Sequence, residues 1–202
     1  AQKNYAPAQV RMGQYCENWE KQLRKSKEEE ALQWYQKAAD QENADGIYHV
    51  GRCYGKGIGT DWDEDTAYLY YWDAEQQGHL PAKLARGRFY MEGFRGVRGG
   101  AKKAEKIYQE LVAKEYVPAM KELAWLYTYD MYGMQDAEKA KALFLKAAYH
   151  GEGDASAFKE LAKAYMWGSF RKNRWGNPWI NSEEEQSLKA EEQKEAVYWL
   201  TR

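Results

Sequence analysis

The chain is poor in proline, cysteine and histidine, with four, two and three of these among 202 residues. Because prolines are few and no long polar tract is present, the sequence shows no sign of a linker. We therefore expect one domain over residues 1–202. Cys16 and Cys53 are too few for a disulfide scaffold and lack the spacing of metal ligands. We expect two free, buried thiols, because packed helices usually hold backbones too far apart for a disulfide.

The chain also lacks an excess of charge and a long apolar run. Its 30 basic and 31 acidic side chains leave a formal net charge of −1, whereas strong nucleic-acid binders carry a basic excess. No apolar run approaches the length of a membrane span. We therefore expect neither nucleic-acid binding nor membrane insertion. The compartment stays open between the bacterial periplasm and the cytoplasm.

The main feature of the sequence is an internal repeat. Small and large apolar residues share one helical stripe at positions zero, three, four and seven, which predicts a recurring helix that we call helix A. Its copies are Ala31-x-x-Trp34-Tyr35-x-x-Ala38-Ala39, Ala67-x-x-Tyr70-Tyr71-x-x-Ala74, Ala104-x-x-Ile107-Tyr108-x-x-Leu111, Ala140-x-x-Leu143-Phe144-x-x-Ala147-Ala148 and Ala196-x-x-Trp199-Leu200.

A second pattern, helix B, alternates with helix A. Its copies begin at Ala8, Gly46, Ala82, Ala119 and Ala157, so their spacing is 38, 36, 37 and 38 residues. Each copy has a further small residue five positions on and a tyrosine three positions after that, with Cys16 replacing the tyrosine in the first copy. Pro7, Pro81 and Pro118 precede three of these starts, where a helix tolerates a missing N–H.

A glycine-bearing connector joins helix B to the next helix A. Its clearest copy runs Tyr54-x-x-Gly57-x-Gly59-Thr60-x-x-Asp63-x-x-Thr66-Ala67. The glycines are expected to end one helix and the acidic stretch 61–65 to cap the next. A role of these acids in catalysis or metal binding is the weaker interpretation, and the glycine spacing does not match a phosphate-binding loop.

Together these patterns resemble the Sel-one-like repeat, a relative of the tetratricopeptide repeat, over nearly the whole chain. The resemblance implies an all-α fold, a right-handed superhelical α/α solenoid of about four full repeats plus partial terminal repeats, with A helices lining its concave face. Asp130 stands where the family's connector has its first glycine, which weakens that single repeat.

Two segments break the repeat. Residues 17–27 are expected to form a lengthened connector, and an irregular insertion at about 168–193 precedes the last helix. The chain starts at a helix B and stops inside a helix A, although terminal repeats need polar caps. We therefore expect it to be part of a longer protein, or its missing caps to be replaced by a partner or a second copy.

No constellation of catalytic groups is visible in the sequence. His49, His79 and His150 lie tens of residues apart without metal-ligand spacing, and we interpret the last two as surface or turn residues. We expect no enzyme activity, no cofactor and no metal site.

Aromatic residues outside the repeat stripes indicate where a partner binds, since aromatics and arginines anchor interfaces. The candidates are Tyr68 and Trp72 on a helix A, and Arg171, Lys172, Arg174, Trp175 and Trp179 in the insertion. Alternatively, the insertion folds back over the last repeat. Binding of single-stranded nucleic acid is a minor option.

These observations favour a protein-protein interaction scaffold that binds a protein partner through its concave face and residues 168–182. The resemblance adds secreted effectors and envelope proteins as partners. One alternative that it implies is a bacterial immunity protein that neutralises a type VI secretion phospholipase effector. A small-ligand or glycan receptor, or an enzyme with an unrecognised pocket, is the alternative of another class.

Overall fold

A computed structural model describes residues 5–17, 24–93, 100–128, 133–150 and 155–166, together with Lys194, Val197 and Tyr198. Over these ranges the chain folds into nine α-helices with no strand, which confirms the all-α class. The helices are α1 (Ala6–Glu17), α2 (Arg24–Ala39), α3 (Ala44–Lys56), α4 (Glu64–Gln76), α5 (Leu80–Met91), α6 (Gly100–Val112), α7 (Val117–Thr128), α8 (Ala137–Tyr149) and α9 (Ala155–Met166). The odd-numbered helices are the predicted B helices, and α2, α4, α6 and α8 are the A helices.

The helices form two compact units, one over Ala1–Gly100 and the other over Ala101–Arg202. In the first unit, one core joins α1, α2 and α3, and a second joins α3, α4 and α5. In the second unit, the cores contain residues of α7, α8 and α9. Each core therefore lies between helices that are close in the sequence. No helix in the described ranges is long and apolar enough to cross a membrane.

The apolar stripe of helix A is the buried part of each pair of A and B helices. In α2, Ala31, Tyr35 and Ala38 have no exposed surface, and the same stripe is buried in α4, α6 and α8. Small residues of helix B allow the close packing. A Cβ on Gly46 would lie 2.7 Å from the Cβ of Ala38, so glycine is needed where α3 meets α2. The predicted periodicity therefore describes the core correctly.

The connector between α3 and α4 matches its predicted roles. Gly57 adopts a left-handed conformation (φ +65°) and ends α3, and its N–H donates to the carbonyl of Cys53. The Asp63 carboxylate accepts the Thr66 N–H at 3.0 Å and so caps α4. Aspartate also caps α8, through Asp136 and the Lys139 N–H at 3.0 Å. Capping, as predicted, is what these acidic residues do.

The predicted connector over residues 17–27 is wrong at both ends. Glu17 is the last residue of α1, and Arg24–Lys27 already belong to α2. Lys27 pairs with Glu30 at 2.6 Å, one turn further on, so charged helix-forming residues extend α2 toward its N-terminus. The prediction for the cysteines is confirmed, since Cys16 and Cys53 are both free and buried. Burial raises the pKa of the Cys53 thiol to about 12.

Candidate interaction surface

Helix α4 has apolar residues on two faces. Its inward face carries the buried stripe Ala67, Tyr71 and Ala74. On its outer face Leu69 and Trp72 are one turn apart and 58% and 45% exposed. We call Leu69 and Trp72 the α4 patch. Two large apolar side chains left in water on one helix face are the kind of feature that marks a contact site.

The repeat itself does not require the α4 patch to be apolar. In α2, the positions that correspond to Leu69 and Trp72 are occupied by Gln33 and Gln36. In α6 they are Lys106 and Gln109. Polar side chains therefore suit these positions in two other A helices. In α8 they are Ala142 and Leu145, and Leu145 is partly buried against the core of the second unit. What distinguishes α4 is that two large apolar side chains at these positions are exposed.

The charged side chains of α4 itself have one sign. Helix α4 has the sequence EDTAYLYYWDAEQ, with four acidic residues and no basic one, and one of the four, Glu75, pairs with Arg86 and Lys83 of α5. Asp65 and Asp73 are exposed on it. Trp62, just before the helix, is a third apolar side chain in solvent, 66% exposed. The surface is therefore aromatic and acidic, which suits a partner that presents apolar and basic side chains.

Tyr68, the other residue predicted on this helix, has a different environment. It is partly buried, and its ring lies perpendicular to the ring of Phe89, with centroids 6.2 Å apart. Its hydroxyl is 3.1 Å from the hydroxyl of Tyr90. The guanidinium of Arg86 lies 5.4 Å from the ring centroid. Burial, followed by the contact with Tyr90, raises the pKa of Tyr68. Tyr68 thus contributes to the contact between α4 and α5.

The remaining predicted site residues, Arg171, Lys172, Arg174, Trp175 and Trp179, lie outside the described residues. Their role in binding, and the placement of the α4 patch on a concave face, stay predictions.

Polar contacts between successive B helices are a feature that sequence reasoning missed. The Arg52 guanidinium forms an ion pair with the Glu17 carboxylate, and the Gln14 amide lies 3.2 Å from His49 Nε2. In the second unit, Lys121 Nζ donates to Ser156 Oγ at 2.7 Å. Each pair is separated by 35 residues in the sequence. This separation, just short of one repeat, is the signal that would have found them.

His49 of α3 contacts both α1 and α2. Its ring stacks on Tyr35, with centroids 4.5 Å apart and planes 9° from parallel. Burial, and then the neighbouring Arg52 charge, lower the pKa of His49 to about 4. The Tyr35 pKa is raised by burial and by the Glu17 carboxylate. A neutral His49 and a neutral Tyr35 therefore sit beside one ion pair, an arrangement that fixes two repeats to each other.

The other two histidines are placed at turns, as predicted, but each has a carboxylate partner that the sequence did not reveal. His79 Nδ1 accepts the Ala82 N–H at 3.1 Å and caps α5, while its Nε2 lies 2.9 Å from Asp45. His150 Nε2 is 3.8 Å from a Glu115 oxygen. No group of three or more metal-ligating side chains occurs among the described residues. The histidines connect neighbouring repeats.

Comparison with known proteins agrees with this architecture. The model of the Sel1 repeat matches residues 6–43, 44–79 and 117–152. No curated protein matches the chain in sequence. A solved structure of a Sel1 repeat protein from Oxalobacter formigenes is similar, at 26% identity and a TM-score of 0.57, over 96% of this chain and 75% of that one.

A second similar structure is a protective antigen of uropathogenic Escherichia coli strains that displays an SLR fold. It is 22% identical, with a TM-score of 0.64, over 97% of this chain. The chain spans only 38% of the length of that antigen. The two structures confirm the predicted solenoid class of helix pairs.

Proposed function

Because the chain belongs to the Sel1 repeat family, whose repeats generally mediate contacts between proteins, we propose that it is a non-enzymatic scaffold that binds a protein partner through the α4 patch. The observation that carries this proposal is the exposure of Leu69 and Trp72 at repeat positions that α2 and α6 fill with polar residues. Family membership indicates protein binding as the class of function, and the α4 patch is the proposed binding site.

The chemistry of the α4 patch indicates what the partner presents. Complete burial of an exposed leucine contributes roughly 1.5–3 kcal/mol, so burying the 58% of Leu69 that is exposed contributes about 1–2 kcal/mol. Trp72 is 45% exposed, and tryptophan is among the residues that dominate interface energies. The acidic residues of α4 favour basic side chains at the rim of the contact. The partner surface is therefore apolar at its centre and basic around it.

A capture experiment with matched variants tests this proposal. A photo-crosslinking amino acid placed at position 69, or at the corresponding position 33, is activated in native extract, and crosslinked proteins are identified by mass spectrometry. We expect one dominant protein from position 69 and not from position 33. Trp72→Ala should reduce its capture at least tenfold, and Gln36→Ala should leave it unchanged.

Both alanine variants should keep the far-UV circular dichroism of the parent, because Trp72 is 45% exposed and Gln36 is its polar counterpart. Equal capture by the two variants would contradict the role of the α4 patch.

The insertion enters the proposal as a second contact region, on the strength of its sequence alone. Reversing the charge of Arg171 and Arg174 and truncating Trp175 and Trp179 should abolish capture with helicity intact. A loss of helicity would instead assign the insertion to covering the last repeat. A lipase as the captured protein would favour the immunity role. Absence of any captured protein would favour a small ligand, a glycan or an enzymatic pocket.

A further inference from the structure

The exposed side chains of α4 lie on one face of the helix. They are Asp65, Leu69, Trp72, Asp73 and Gln76, and their spacing of four, three, one and three residues places them on one side of a 3.6-residue period. Leu69 and Trp72, the α4 patch, are in the middle of this face, and Asp65 and Asp73 lie one turn before and after Leu69. The face is therefore narrow, with an apolar centre and carboxylates beside it.

The exposure of this face does not arise from a missing neighbour in the repeat. Helix α4 lies between α3 and α5 in the sequence and shares one core with both, through residues such as Ile47 of α3 and Phe89 of α5. These helices pack against the opposite face of α4, which carries the stripe of Ala67, Tyr71 and Ala74. The outer face thus stays in water although the helices before and after α4 are both in place.

Most acidic residues of α4 have an explanation within the fold. Glu64 and Asp65 are in the first turn, where the helix dipole favours negative charge. Glu75 forms an ion pair with Arg86 of α5. Asp73 is different, because it is in the last turn, where the dipole disfavours a carboxylate. Within the described ranges Asp73 forms no ion pair, so nothing in the packing of the repeat accounts for its charge.

Two other A helices have the opposite charge at the position of Asp73. The equivalent residues are Lys37 in α2 and Lys146 in α8, both in the last turn, whereas α6 has Glu110. A lysine there suits the C-terminus of a helix. The Lys37 ammonium lies over the Trp34 ring of α2 itself, 4.2 Å from the centroid. Helix α4 thus carries an acid, against its own dipole, beside the α4 patch.

A second carboxylate lies on the same side of α4 as Asp73. Asp40, just after α2, accepts a hydrogen bond from the Gln36 amide at 2.9 Å. Burial and then the neighbouring Tyr54 raise the pKa of Tyr70, and the carboxylates of Asp40 and Asp73 raise it further. Both carboxylates are therefore near the Tyr70 hydroxyl, and a cationic side chain placed there would be attracted by two negative charges.

We propose that the partner surface bound at the α4 patch is a basic amphipathic helix, whose apolar residues pack against Leu69 and Trp72 and whose lysine or arginine side chains pair with Asp73 and Asp40. This inference rests on the proposed function and narrows it to one class of partner. A second helix matches a narrow apolar face, because its side chains at spacings of three and four interleave with those of α4. A second copy of the chain does not fit, because two acidic faces would meet.

A display library tests this class of partner without knowledge of its identity. The surface residues of one helix in a small helical bundle are randomised, and binders are selected on the intact chain and depleted on Trp72→Ala. We expect the enriched helices to carry leucine or aromatic residues three or four positions apart, with lysine or arginine within one turn of them. Enrichment of neutral or acidic helices would overturn the proposal, and so would a library without any binder that Trp72→Ala loses.

Fluorescence anisotropy of one labelled binder measures the contribution of charge. Asp73→Lys should weaken binding at least tenfold, and Asp73→Asn should weaken it by a smaller factor. Glu115→Lys makes the same change of net charge in the second unit, at a side chain that is 70% exposed, and should leave binding unchanged. Added salt should weaken binding to the parent chain more than binding to Asp73→Asn.

Circular dichroism should show that Asp73→Lys is folded, because Asp73 is exposed and lysine suits the last turn of a helix. Equal effects of Asp73→Lys and Glu115→Lys on binding would refute the pairing with Asp73.

The crosslinking capture at position 69 separates this inference from the proposed function. Equal capture by Trp72→Ala and Gln36→Ala contradicts the proposed function itself. A captured protein whose crosslinked segment is extended, neutral or acidic would refute the basic helix and leave the scaffold in place. A crosslink to another segment of the same chain, or a self-associated chain in sedimentation velocity that Trp72→Ala dissociates, would identify a different occupant and overturn the inference.

Discussion

Replacing Gly59 by alanine tests the contact that the connector between α3 and α4 makes with α2. Gly59 has a left-handed conformation, with φ at +67°. A Cβ built on it would lie 2.2 Å from the carbonyl oxygen of Glu28 and 2.7 Å from the backbone nitrogen of Glu29. Both obstacles are backbone atoms of a helix, so they cannot turn aside as a side chain can.

Two contributions determine the expected loss of stability. A left-handed conformation is about 1–2 kcal/mol less favourable for alanine than a right-handed one. The overlap with α2 adds roughly 1–3 kcal/mol, as overpacking of a close-packed site does. We expect Gly59→Ala to lower the free energy of unfolding by about 2–5 kcal/mol.

Two other glycines provide controls that separate these contributions. Gly57 has φ +65°, but the atom nearest to a Cβ placed on it would be 3.5 Å away, and Gly78 has φ +81° with nothing within 4 Å of a Cβ. Gly57→Ala and Gly78→Ala should therefore show only the conformational loss of about 1–2 kcal/mol. The gain from restricting the unfolded chain is common to all three variants and cancels in the comparison.

Urea unfolding followed by far-UV circular dichroism and by tryptophan fluorescence provides the measurement. Coincident transitions and unchanged m-values would justify comparing free energies. If Gly59→Ala is no more destabilising than the two controls, the close approach of the connector to α2 is refuted.

Two further predictions concern the contact between α1 and α3. His49 is held neutral by burial with a pKa of about 4, against about 6.5 when unfolded. The unfolded chain therefore takes up a proton first as the pH falls, and the free energy of unfolding should drop by about 2–3 kcal/mol between pH 6.5 and 4. His49→Gln should flatten that part of the profile in urea unfolding, and an unchanged profile would contradict the buried, neutral ring. Arg52→Met should destabilise by about 2 kcal/mol, because the Glu17 side chain, 14% exposed, loses its cation. A double-mutant cycle with Glu17→Gln should recover part of the loss, and strict additivity would show that the pair does not interact.

Much of the fold follows from local periodicity. A stripe such as Ala31, Tyr35 and Ala38 identifies both the helix and its buried face, because a 3.6-residue period leaves one side apolar. Gly57 and Asp63 identify the end of α3 and the start of α4, since left-handed backbone and N-cap hydrogen bonds require particular residues. The start of α2 is harder to predict, because a charged run such as 24–30 has no apolar stripe to mark it.

The sequence predicts only part of the candidate surface. Trp72 falls off the repeat stripe and is exposed, as an interface residue should be. Tyr68 also falls off the stripe, yet it packs against Phe89 and Tyr90. A position off the stripe indicates that a residue is not part of the main core. It does not indicate whether the side chain contacts the neighbouring helix.

The sequence by itself determined the helices, their pairing and their caps, because these depend on residues within a few turns of one another. Only the tertiary structure decided which B-helix residues meet across repeats. Glu17 and Arg52 are paired, and Gln14 lies beside His49, because of the distance and angle between neighbouring helices. Those quantities arise from the packing of many side chains at once, and no single stretch of sequence encodes them.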